Sequence, residues 1–208
     1  MKITFKILLV ACIAVLGYLC TKSILDPIKF QEEKGKREKA VIARLIDIRK
    51  AQIEYRNING KYTGSFDTLI TFIKEGKLPM VLKEGVLTDE QLEKGMTEKE
   101  AVKQGLIKRD TTYIAIIDTL FKPGFVVDSI AFVPGTSSKF EMKAGELSTA
   151  SGLMLQVFEA KAPFTVYLNG LDKQEIYNLI DVAKKLDKYP GLKVGSVEEA
   201  NNNAGNWE

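Results

Sequence analysis

The sequence predicts an α+β protein: an N-terminal transmembrane helix that continues into a long amphipathic helix, packed on a small antiparallel β-sheet with a C-terminal helix. Three observations carry that reading. Ile7 to Thr21 contains no charged residue, apolar side chains recur at helical spacing from Val41 to Tyr55, and from Thr111 onward β-branched and aromatic runs alternate with Gly- and Pro-containing turns. With 208 residues, 45% apolar and 27% charged, the chain has the composition of a folded protein rather than a disordered one.

The first element is a membrane anchor over residues 1–25, with Ile7, Leu8, Leu9, Val10, Ile13, Val15, Leu16 and Leu19 as its lipid-facing side chains. The uncharged run is shorter than the roughly 20 residues that span a bilayer, so Ile3, Phe5, Ile24 and Leu25 extend it while Lys6 and Lys22 reach for the headgroups. A cleaved signal peptide is the alternative, although Tyr18 to Ser23 offers only Thr21 and Ser23 as small residues for a cut. Leu9-Val10-Ala11-Cys12 also has the form of a lipoprotein box. Residues 1–60 carry twelve Lys/Arg and six Asp/Glu, net +6, and the remainder is net −3. Lys22, Lys29, Lys34, Lys36, Arg37 and Lys39 follow the apolar run and by the positive-inside rule hold the body in the cytoplasm. Glu32, Glu33 and Glu38 offset them, and a short basic N-terminus is the usual start of a signal anchor. The expectation is therefore a single pass through the inner (cytoplasmic) membrane with a periplasmic body.

Residues 26–60 form the amphipathic stalk, with Pro27 in its first turn or at a kink. Val41, Leu45, Ile48 and Tyr55 make its apolar stripe, widened by Ile42, Ile46 and Ile53, opposite Arg44, Asp47, Lys50 and Glu54. That stripe packs either on the chain's own body or on a partner helix. Asn57-Ile58-Asn59-Gly60 ends the helix.

Residues 61–197 are the α+β body. Ser65 caps a short helix through Phe66, Leu69, Ile70 and Ile73, stopped at Gly76. Thr88 with Gln91 and Thr97 with Glu100 are capping boxes that start two small helices ending near Gly95 and Gly105. Strands are expected at 112–121, 129–133, 139–143, 153–160 and 164–168, separated by Lys122-Pro123-Gly124, Pro134-Gly135, Ala144-Gly145 and Ala162-Pro163. Connections that short favour an antiparallel sheet. Asp172 and Glu175 start a last helix whose face of Ile176, Leu179, Ile180, Ala183 and Leu186 lies on the sheet, and Leu192-Lys193-Val194 adds an edge strand. Residues 198–208 are an irregular tail in which Trp207, the one tryptophan, docks on the body.

The chain has no histidine, and its two cysteines, Cys12 and Cys20, both lie in the apolar segment. Imidazole acid–base chemistry, disulfides in the body and thiolate metal sites are excluded. Asp118 and Asp128 near strand ends and the Ser137-Ser138-Lys139 run are the remaining catalytic candidates. Adjacent strand residues point to opposite faces, however, so Lys139 does not activate Ser138. The expectation is a protein that is not an enzyme, with no catalytic, metal or cofactor site, no nucleic-acid partner and no identified small-molecule substrate.

The apolar helix running into an amphipathic one, then Ala51-Gln52-Ile53-Glu54-Tyr55, Asn59-Gly60-Lys61-Tyr62-Thr63 and a small sheet, resembles type IV pilins and the pseudopilins of secretion systems over residues 1 to about 75. The leader glycine and the glutamate within the apolar run of that family have no counterpart here. The resemblance implies an envelope protein that sits in the membrane and contacts protein partners or copies of itself. A second reading is a membrane-tethered binding module that presents a ligand surface on its sheet.

Overall fold

The computed structural model describes residues 2–85, 95, 97–103, 105–106, 108–149 and 152–208. The architecture is α+β, as the sequence pattern predicts. Two compact units form, Met1–Phe66 with Ser129–Glu208, and Asp67–Asp128.

The first unit is organised by α1, a single helix of 58 residues over Lys2–Asn59, which at 1.5 Å per residue is about 87 Å long. Pro27 lies inside it without ending it: the proline lacks the N–H that would bond the Ser23 carbonyl, and the helix continues on both sides. The sheet of this unit has the order β3-β4-β5, all antiparallel, with β3 over Glu141–Ser148, β4 over Met154–Pro163 and β5 over Gly191–Gly195. As the central strand, β4 is buried at four consecutive positions, Val157 to Ala160. α1 packs on β4, on β5 and on α5, the one-turn helix Phe164–Tyr167. Val41, Leu45, Ile48 and Ala51 of α1 join Phe158, Ala160, Ala162, Leu168 and Val194 in the buried core. α6, Lys173–Lys185, buries Ile176 and Ala183, and Asp172 caps it by accepting from the backbone N–H of Gln174 (2.8 Å) and Glu175 (3.1 Å).

The second unit holds α2 (Phe66–Glu75), α3 (Glu98–Lys103), α4 (Ile116–Leu120) and an antiparallel ribbon of β1 (Lys77–Glu84) with β2 (Lys108–Ala115). Gly76 ends α2 at the start of the ribbon, where its carbonyl accepts from Ile116 N–H at 3.1 Å and the Ile116 side chain fills the space a Cβ would take. The Thr97–Glu100 capping box is present: Thr97 N–H donates to the Glu100 carboxylate at 2.9 Å and holds it below the usual carboxylate range. The expected helix at Thr88 and Gln91 lies outside the described residues.

Several expected strands are corrected. Residues 129–133 belong largely to a 3₁₀ turn, Val127–Ala131, although Phe132 pairs with Lys139 in an isolated bridge. Residues 116–120 are helical, because after Ala115 Ile116 turns into the core and Thr119 Oγ1 bonds back to the Ala115 carbonyl at 3.3 Å. Phe164–Tyr167 is helical as well: Pro163 occupies the N-cap position, and a helical turn brings Phe164 and Tyr167 together with ring centroids 5.9 Å apart. Ala144-Gly145 is not a turn; both residues are paired within β3, opposite Phe158 and Val157. The chain reverses instead after Thr149, whose N–H and hydroxyl donate to the Leu153 carbonyl.

The last residues add to the fold. Val194 bridges Gly205, Asn206 N–H donates to the Lys193 carbonyl, and Arg49 of α1 meets the Glu208 carboxylate at 2.6 Å. Trp207 is half-buried beside Ile42, Leu179 and Leu186, so it docks as expected.

Candidate functional site

The candidate surface is built along α1, which changes character at Phe30. Before that point Ile7, Leu8, Leu9, Val10, Ile13, Val15, Leu16 and Leu19 are each between 49% and 65% exposed, around the whole circumference of the helix. Packing among the described residues leaves them exposed, and a helix apolar all round needs an apolar surrounding. Among the described residues α1 is the one helix long and apolar enough to cross a membrane; a signal sequence has the same properties. Within this segment the Thr21 hydroxyl is satisfied locally, donating toward the carbonyls of Tyr18 (2.9 Å) and Gly17 (3.1 Å).

From Phe30 onward α1 belongs to the body. Its first turns carry ion pairs at helical spacing, Glu32–Lys36 (2.9 Å), Glu33–Arg37 (3.1 Å) and Lys34–Glu38 (3.2 Å). Arg37 also donates to the carbonyls of Asn169 (2.9 Å) and Tyr167 (3.2 Å), which ties α1 to the end of α5. The Tyr167 hydroxyl donates to Glu38 at 3.4 Å; burial, with the Glu38 carboxylate beside it, pushes that phenol well above its ordinary range, so it stays a neutral donor. Arg44 donates to the Ser129 carbonyl and, at 2.8 Å, to its hydroxyl. Burial lowers the Arg44 pKa and raises that of Asp47.

Val41, Leu45 and Ile48, which the sequence suits either to the chain's own body or to a partner helix, are 0% exposed and are covered by the chain's own sheet and α5, while Tyr55 is only half-buried. The physical reason is the register of α1 on the sheet. The stripe lies against β4, β5 and α5, so it is used within the fold.

Below the stripe, Gln52 is wholly buried and pairs through its amide with one backbone residue. Its Nε2 donates to the Thr63 carbonyl at 2.6 Å and its Oε1 accepts from Thr63 N–H at 3.1 Å. This clamp sets Tyr62 against Phe158, with ring centroids 4.9 Å apart, under the guanidinium of Arg56 and the amide of Asn203, both of which donate to the Tyr62 hydroxyl. The segments that carry the pilin resemblance thus meet in space.

Two of the clefts that open in this unit involve α6. The larger, about 430 Å³, is lined by Leu19, Lys22, Ser23, Asp26 and Pro27 of α1 and by Asp172, Gln174 and Glu175 at the start of α6. The second, about 340 Å³, is apolar and runs between α1 and α6 over Ile42, Phe164, Leu179, Leu186 and Trp207.

The catalytic candidates are dispersed over both units. Asp128 is ion-paired with Lys74 at 2.8 Å, Asp118 is an exposed residue of α4, Ser138 N–H donates to the Thr136 hydroxyl, and the Lys139 ammonium sits over the Phe132 ring. Arg37, Gln52 and the α6 cap hold parts of the fold together. Of these, only the cap had a sequence signal, Asp172 ahead of Glu175. No family model, curated protein or solved structure matches the chain.

Proposed function

We propose that this chain is a membrane-anchored structural or interaction protein of the cell envelope, pilin-like in plan and non-catalytic, held by a single pass through the inner membrane with its body on the periplasmic side. The observation that supports it is the continuity of α1: one helix is bare and apolar along its first half and forms the core of a folded body along its second. A removable targeting segment has no need to share a helix with the core, whereas an anchor that fixes a body's position gains stiffness from doing so. Because the Val41–Ile48 stripe is used internally, partner contact falls to the anchor itself and to the outer surface of the body.

Cys12 and Cys20, both exposed on the anchor, supply the test. Mild oxidation of the full-length protein in native membranes should give disulfide-linked dimers that Cys12→Ser and Cys20→Ser remove, if the anchors associate. A chain released by carbonate wash, or whose mature N-terminus begins beyond Leu25, ends the anchor reading. Protease that reaches the body before the inner membrane is opened supports the periplasmic placement. The binding-module reading has one specific observation in its favour, the apolar cleft beside Trp207, and places the ligand between α1 and α6 rather than on the sheet face.

A further inference from the structure

We infer that the body is not raised on a stalk but is seated on the bilayer, with the start of α6 and the preceding Asn169–Asp172 corner resting in the lipid headgroup layer. This deepens the proposed function and rests on the anchor reading. The argument is one of length. A hydrocarbon core of about 30 Å takes about 20 residues of an untilted helix. Counted from Ile3, the apolar side chain that follows the charged Lys2, its far edge falls at Lys22–Ser23. That is the level at which Asp172, Gln174 and Glu175 come alongside α1 and close the large cleft with Leu19, Lys22, Ser23 and Asp26. Tilting the helix lengthens the stretch needed to cross and draws the body closer still.

Side chains at this level match the placement. Ile24, Leu25 and Ile28 remain 64%, 49% and 57% exposed although the body has begun, so apolar surface continues into the zone where polar residues gather. The charged lining of the cleft is mixed, Lys22 against Asp26, Asp172 and Glu175, which suits zwitterionic headgroups bearing both a phosphate and an ammonium. Asn169, Gly170, Asp172, Lys173 and Gln174 are all exposed and offer a polar corner to that layer. The partner assigned to this surface is the lipid headgroup region.

Depth-dependent quenching tests it on the full-length chain carrying Cys12→Ser and Cys20→Ser. Single cysteines at Leu9, Gln174 and Asn202 would bear a fluorophore, in vesicles of phosphatidylcholine and phosphatidylethanolamine with a nitroxide on either the headgroup or the acyl chain. Asn202 lines a small cleft with Arg56, near the other end of α1, and serves as the distant reference. The expected result is loss of the Gln174 signal to the headgroup quencher, loss of the Leu9 signal to the acyl-chain quencher, and an unchanged Asn202 signal. If Leu9 is quenched and Gln174 stays as bright as Asn202, the seat is overturned and the anchor stands. If Leu9, and a second probe at Val15, both stay bright, the anchor reading falls and the seat with it.

Discussion

Replacing Gln52 by glutamate changes one atom of a side chain that is wholly enclosed, and its consequence can be worked out from the pair of bonds it makes. Glutamate keeps an acceptor for Thr63 N–H but turns the donor at 2.6 Å from the Thr63 carbonyl into a second oxygen. When ionised it places a charge in the core facing a carbonyl, with no cation among its described partners. Uncompensated buried charges cost about 3–5 kcal/mol; taking about 3 kcal/mol, the folded-state pKa rises about two units above the ordinary glutamate value of about 4.3. The sign follows from which state holds the proton. The folded chain binds it more tightly, so the variant is close to wild type below about pH 4.3, where a protonated carboxyl can still donate to Thr63. Its deficit grows by about 1.4 kcal/mol per pH unit until the folded pKa is passed, and is constant above. Urea unfolding of the full-length chain in detergent, from pH 4 to pH 8, reads this as a widening gap between midpoints. Two midpoint curves that run parallel across that range would refute the clamp as an energetic element.

Other substitutions probe different parts of the same unit. Leu45→Ala empties a site with no exposed surface between α1 and the sheet and should cost about 2–5 kcal/mol, measured by the same unfolding experiment. Gly195→Ala should cost about 2–4 kcal/mol, because φ is +71° there and an added Cβ overlaps the Phe158 carbonyl of the central strand; a soluble, correctly folded variant with an unchanged midpoint would contradict the close approach. Asp172→Ala removes the cap of α6 and should cost about 1 kcal/mol, with Asp172→Asn recovering most of it.

Legibility differed between elements for physical reasons. α1, α6, β4 and β5 were readable because each carries a long periodic pattern or a cap whose meaning does not depend on distant residues. β1 was not: Lys77-Leu78-Pro79-Met80 contains a proline, which argues against a central strand. The structure places Pro79 in a two-stranded ribbon, opposite Tyr113, where neither strand has a second neighbour to disappoint. Phe164-Thr165-Val166-Tyr167 has strong strand propensity, yet packing of Tyr167 and Leu168 into the core overrides it. For the candidate site, the exposed apolar half of α1 was visible as an uncharged run. Val41, Leu45 and Ile48 looked equally suited to an inner or an outer partner, since periodicity shows that a face is apolar but not what covers it. The pairing of Gln52 gave no signal, as its partner is a backbone group that only the fold brings near.

The stripe on α1 is made early and covered late. Val41 to Ile48 leave the ribosome well before Phe158, Leu168 and Val194 exist, so throughout most of synthesis this row of side chains faces water or a chaperone. Closure waits for β5, and contacts that distant in sequence form slowly. A chain stopped short of Gly191 would therefore leave this apolar row uncovered, a natural target for quality-control proteases.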